Sequence, residues 1–131
     1  MTVAVAHQVS ATSRKALVQA VQEAKYRDTD LAVLHVVDTI DPDRQEAYRL
    51  GVSDEIEKVI GQDPSVPWQL HLATAGPDLT DALLTLVDTV DADLLVIGAR
   101  QRSPVGKALL GSVAQTVILQ AQLPVLVVKA P

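Results

Sequence analysis

Leu31-Ala32-Val33-Leu34-His35-Val36-Val37 is the stretch on which the fold turns. Six of its seven side chains are apolar and they do not alternate with polar ones, so it cannot be a strand with one wet face. A run of this kind is covered on both sides, as in a parallel sheet between two layers of helices. Immediately before it, Asp28-Thr29-Asp30 reads as a turn. Further back, Leu17, Val21 and Ala24 recur at helical spacing behind a candidate cap at Ser10 or Thr12, and Val3 to Ala6 forms a short first strand.

After that stretch the same alternation of periods continues. Asp41-Pro42 reads as an N-cap followed by proline at the first helical position, and Tyr48, Val52, Ile56 and Val59 form a stripe that Gly51 weakens. A loop from Gly61 to Pro67 leads into a third strand, Trp68 to Ala73, which Pro67 places near an edge. Gly76-Pro77 opens a helix with the stripe Leu79, Leu83, Leu86 and Val90. Asp91-Ala92-Asp93 separates it from the strand Leu94 to Ile97. Residues 98–110 read as a loop, 111–121 as a last helix and Pro124 to Val128 as a fifth strand. Five strands alternating with four helices, joined by right-handed crossovers, predict an α/β three-layer sandwich with a five-stranded parallel sheet, and one domain over 1–131. In such sheets ligands bind beyond the carboxyl ends of the strands, here strands one and four.

Composition agrees. The 131 residues are 48% hydrophobic but 2% aromatic, so the core is built from Val, Leu, Ile and Ala. A net charge of −5 disfavours attraction to phosphate backbones, and neither nucleic acid nor a membrane is an expected partner. There is no cysteine, which excludes a disulfide framework and thiolate zinc sites. Met1-Thr2-Val3 leads into a strand without a basic or apolar leader, and no apolar run approaches the ~20 residues of a membrane span. A cytoplasmic protein is expected.

The chemistry concentrates between the fourth strand and the last helix. Gly98 at a strand end lets a ligand approach the backbone, while Gly111 and Ser112 aim free N–H groups and the positive end of a helix at an anion. Arg100, Arg102 and Lys107 add charge. The stretch is not a Walker loop: seven residues separate Gly98 from Gly106, and Ala108 follows Lys107. As a plain alternative, the glycines bound secondary structure and the basic residues line a solvated loop.

This stretch, with Leu94-Leu95-Val96-Ile97, the closing Pro124-Val125-Leu126-Val127-Val128-Lys129, Leu34-His35-Val36-Val37-Asp38 and Gly76-Pro77 in order, resembles the universal stress protein family across essentially the whole chain. The resemblance implies a Rossmann-like, adenine nucleotide α-hydrolase-like fold with strand order 3-2-1-4-5. It implies an ATP or AMP site formed by Ala6, His7, Gln8, Val36, Val37, Gly98, Arg100, Gln101, Arg102, Gly111, Ser112 and Val113, with magnesium if ATP is bound. It also implies a homodimer through Pro124 to Val128. The family's nucleotide binders carry Gly, two residues, Gly, nine residues, Gly and Ser or Thr. Here Gly98, Gly111 and Ser112 match, but Gln101 stands where the second glycine belongs. Those binders also place an Asp after the first strand, where this chain has Ala6-His7-Gln8.

Three readings follow. One is a stress-response regulator that binds an adenine nucleotide. Another is a member that has lost the nucleotide and acts as a dimer on a downstream protein. The last is a weak nucleotide hydrolase using Ser103 or Ser112 and Lys107. Catalysis comes last, because the chain has no cysteine, no HExxH helix and no Gly-x-Ser-x-Gly elbow. No metal site is expected. His35 and His71 lie within strand patterns and read as structural, whereas His7 lies at the carboxyl end of the first strand, beside the predicted crevice, where a structural role weighs at least as much as a ligand role. Asp28, Asp30, Asp88, Asp91 and Asp93 read as turn and cap residues.

Overall fold

In the computed structural model the described residues are 1–8, 11–61, 65–75, 78–100 and 112–130, with the main chain alone at 11, 12, 100, 112 and 130. The elements are β1 (Thr2–Ala6), α1 (Ala11–Tyr26), β2 (Asp30–Val37), α2 (Pro42–Ile60), β3 (Trp68–Thr74), α3 (Leu79–Thr89), β4 (Leu94–Arg100), α4 (Ser112–Gln120) and β5 (Val125–Ala130). The strands are all parallel and lie in the order β3-β2-β1-β4-β5, as the sequence predicts.

Each inner strand feeds two cores, because successive side chains point to opposite faces. Val3, Val5, Leu31, Val33, Leu94 and Val96 pack with α1 and α2 in one layer. Ala4, Ala32, Leu34, Leu95 and Ile97 pack with α3 and α4 in the other. Both faces are dry, which is why the decisive stretch shows no alternation.

The pole of the sheet opposite the strands' carboxyl ends is tied by acidic turn residues. Asp28 and Asp91 both have φ 53, a left-handed conformation that Asp tolerates better than most L-residues. Each ends a helix in the same way. Asp28 N–H reaches the Lys25 carbonyl at 3.1 Å and Thr29 N–H that of Ala24 at 2.9 Å; Asp91 and Ala92 repeat this with Asp88 and Val87 at 3.1 and 3.3 Å. The Asp93 carboxylate accepts from Thr2 N–H at 3.0 Å, and Asp30 from the Thr2 hydroxyl at 2.9 Å. The edge strands β3 and β5 follow Pro67 and Pro124, whose carbonyls accept from Leu31 and Leu95 on the inner strands. Proline has no N–H to give a ladder, so it suits that position.

Several boundaries differ from the expected ones. Residues 98–100, read as the start of a loop, extend β4: Gly98, Ala99 and Arg100 pair with Val128, Lys129 and Ala130. The edge strand is longer than its apolar core suggests and draws β4 out with it. Thr12 lies inside α1 and so does not cap it, while Ser10 and Gly76-Pro77 lie outside the described residues. Asp78 caps α3 through Thr80 N–H, and Asp41 caps α2 through Asp43 N–H with Pro42 in the first turn. Among the described residues no helix is long and apolar enough to cross a membrane.

Candidate functional site

The ladder between β1 and β4 runs Val3 to Leu94, Ala4 to Leu95 and Val5 to Val96, and stops. On either side the sheet continues, β1 with β2 to Ala6 and Leu34, and β4 with β5 to Arg100 and Ala130. The two inner strands therefore part at their carboxyl ends. This is the switch point of the fold, where the chain winds off to one side through β2 and to the other through β5.

The parting opens a crevice of about 390 Å³ on the α3/α4 face, within the usual size of small-ligand pockets. Ala6, His7 and Gln8 form one lip, Ile97, Gly98 and Ala99 the other. Leu34 and Val36 join them from β2, Leu79 and Leu83 from α3, and Val113, Ala114 and Val117 from the start of α4. The walls are mostly aliphatic, and α4 begins at the crevice, so the positive end of its dipole faces the opening. Such a space suits a flat apolar ring with a polar or anionic group near the helix start.

Sequence reasoning had named six of these residues: Ala6, His7, Gln8, Val36, Gly98 and Val113. Val37 alternates to the opposite face, is buried, and offers its carbonyl to Ala75 N–H at 2.7 Å. Arg100 and Ser112 are described by main chain alone; Gln101, Arg102, Ser103, Lys107 and Gly111 lie outside the described residues. Ser13, Leu79 and Leu83 of α3, and Ala114 and Val117 of α4 were not singled out as site residues. Their helical stripes mark them as inward-facing, but nothing in a stripe says that the strand beneath it has parted from its neighbour.

His7 lines the crevice, and its side chain is fully buried and reaches toward α2. There it lies with its centroid 5.7 Å from that of His35, with Nε2 4.0 Å from Glu55 Oε1 on α2. Burial, and then the neighbouring His35, push His7 down to about 4. Burial also lowers His35, against the raising influence of its bond to the His7 backbone and of Glu55. His35 Nδ1–H donates to the His7 carbonyl at 2.9 Å, so that histidine is satisfied by a neighbour, as its strand position suggested. His7 N–H donates to the Leu34 carbonyl at 2.8 Å, and Gln8 N–H to Ser13 Oγ at 2.9 Å. The lip is thus held by β2 and α1, and His7 presents its main chain to the crevice. Gln8 is exposed at the same lip, in the region where the family's nucleotide binders place Asp.

A model of the universal stress protein family matches residues 1–129. A universal stress protein of Mycolicibacterium smegmatis is 44% identical over 121 residues, 88% of each chain. The universal stress protein from Archaeoglobus fulgidus in complex with dAMP is similar over 98% of both chains, at 29% identity and a TM-score of 0.75. A universal stress protein in complex with cAMP covers 100% of this chain and 98% of its own, at 27% identity and a TM-score of 0.78.

Proposed function

The chain belongs to the universal stress protein family, and from that premise we propose that it is a stress-response regulator that binds an adenine nucleotide in the crevice between β1 and β4. The observation that carries the reading is the parting of the two strands after Val5 and Val96. It opens a small-ligand-sized space with aliphatic walls beside the start of α4. Aliphatic side chains can sandwich a purine, and the main-chain groups of the lips can read its polar edge. Two solved relatives hold dAMP and cAMP, which supports AMP or ATP as the ligand class. With ATP, magnesium would accompany the phosphates.

The space and its aliphatic lining favour holding a ligand over converting it, so the reading is of a cytoplasmic binding protein whose occupancy is sensed by a partner protein.

The test is calorimetric titration with AMP, cAMP and ATP up to about 1 mM, a Kd of that size being worth about 4 kcal/mol. Saturable binding is expected, weakened at least about tenfold in Val113→Trp, which fills the crevice from α4. Absence of heat with all three, from folded protein, refutes the reading.

A second reading has its own observation. β5 is an edge strand, and Val125 to Val128 are half-buried on it, which leaves apolar strand available for pairing with another copy. A homodimer through this strand is proposed, and Val127→Lys is expected to give monomers by light scattering. A variant that stays dimeric places the interface elsewhere.

A further inference from the structure

His7 lends its main chain to the crevice and its side chain to the opposite layer. A buried imidazole normally finds partners, yet neither Nδ1 nor Nε2 of His7 has one, and neither does the buried Glu55 Oε1. The gap between Nε2 and Oε1, 4.0 Å, is too long for a hydrogen bond but within ion-pair reach. A ring nitrogen and a carboxylate oxygen thus face each other just beyond hydrogen-bond reach, at a separation that a positive charge on the ring would shorten.

Glu55 has a competing partner. Arg14 on α1, half exposed, places NH1 3.6 Å from the same Oε1. Among the described residues, the titratable and charged groups facing His7 are His35 from β2, Arg14 from α1 and Glu55 from α2. Arg44 shares with Glu55 a groove along α2. β4 contributes none over 94–99. Glu55 therefore has two pairings: with Arg14 while His7 is neutral, and with His7 once it is charged. His35 opposes that charge, while Glu55 raises His35 and, at 4.0 Å from His7 Nε2, is placed to attract a charge there as well.

We propose that His7, His35 and Glu55 form a proton-operated switch beneath the crevice wall. Proton uptake at His7 draws its ring onto Glu55, and because the same residue is the lip of the crevice, acid shifts that lip and loosens the hold on a ligand. The clause about the ligand rests on the nucleotide reading; the movement of the lip does not. The bonds that transmit it are His35 Nδ1–H to the His7 carbonyl, His7 N–H to Leu34 and Gln8 N–H to Ser13, all between 2.8 and 2.9 Å. A ring displacement at His7 strains all three. Burial sets the midpoint on the acid side of an ordinary histidine, so the switch rests in its neutral state near pH 7 and operates as pH falls.

The test is an amide and imidazole NMR titration of ligand-free protein from pH 7 to about 2.5, on the wild type, Glu55→Gln and Arg14→Ala. In the wild type the His7 imidazole, the amides of Ala6, His7 and Gln8, and that of Glu55 are expected to move with one midpoint. Glu55→Gln removes the acceptor's charge and lowers that midpoint by about half a pH unit or more. Arg14→Ala removes the competitor and raises it by a similar amount. An imidazole that titrates while the lip amides stay still overturns the switch. So do midpoints unchanged in both variants, and unfolding that precedes any coupled shift in all three proteins.

AMP titrations at pH 7 and at about 3.5, below the His7 midpoint, form a separate arm. Weakening of roughly threefold or more in the wild type, absent in Glu55→Gln, is expected from the linkage. Equal affinity at both pH values overturns the ligand clause. No AMP binding at either pH removes the nucleotide reading, while the ligand-free titration decides the switch by itself.

Discussion

The two helical layers meet the end of β1 in opposite ways. On the α3/α4 side Ala6 and Gln8 border an open crevice with aliphatic walls. On the α1/α2 side the ring of the intervening residue, His7, is fully buried against His35 and Glu55. One strand end thus carries an open recess on one face and a packed, titratable cluster on the other. The difference shows how strand alternation lets one short segment serve two layers. The recess is free to take a ligand because the closed layer behind it holds the segment in place.

The largest expected effect comes from truncating the closed layer. Leu17 is fully buried on α1, whereas Leu83 on α3 borders the crevice. Leu17→Ala should cost roughly 3–5 kcal/mol in urea denaturation, and Leu83→Ala roughly 2, since a site beside open space leaves less new cavity. Equal costs would mean that the crevice closes in solution.

Acid should act next most strongly, and through the closed layer. His7 is lowered from 6.5 to about 4 in the folded chain, so between those values the unfolded chain binds more protons. The stability that neutral His7 contributes is fully present above pH 6.5 and is lost as pH falls through about 4. That loss amounts to at most about 3 kcal/mol, and the lowered His35 adds to it in the same direction. Thermal melts across this window should fall more steeply for the wild type than for His7→Gln. Parallel slopes would show that the ring does not resist protonation.

The smallest effect separates two helix caps. Asp78 accepts from Thr80 N–H at 2.9 Å, and Asp41 from Asp43 N–H at 3.0 Å. Thr80 is buried at the crevice end of α3, while residues 42–51 of α2 are almost all exposed, with Gln45 alone intermediate. Asp78→Ala should therefore cost about 1 kcal/mol globally. Asp41→Ala should fray the first turns of α2 at less than half that. Hydrogen exchange of the two helix starts distinguishes local fraying from global loss.

The layers, strand order and edge positions were legible because both hydrophobic periods are strong. Leu31 to Val37 could belong only to a strand covered on both faces, and Pro67 marked an edge for the third strand. The extension of β4 through Arg100 was not legible, because Gly98 reads as a strand end until the register of its neighbour is known. Half of the expected site residues line the crevice. The contact of the His7 ring with Glu55 was not legible for a reason of parity: one residue decides which face a side chain serves. Glu55 lies on a helical stripe beside Ile56 and gave no sign that its carboxylate would face a histidine from another element.

The account rests on the crevice being the face that takes the ligand. Amide shift mapping of labelled protein with AMP at pH 7 tests this most directly. Saturable shifts at Ala6, Gln8, Val36, Gly98 and Val113 are predicted, with the α2 groove at Ala47, Tyr48 and Gly51 silent. Saturable shifts centred on that groove, or none at the lips of β1 and β4, would contradict it.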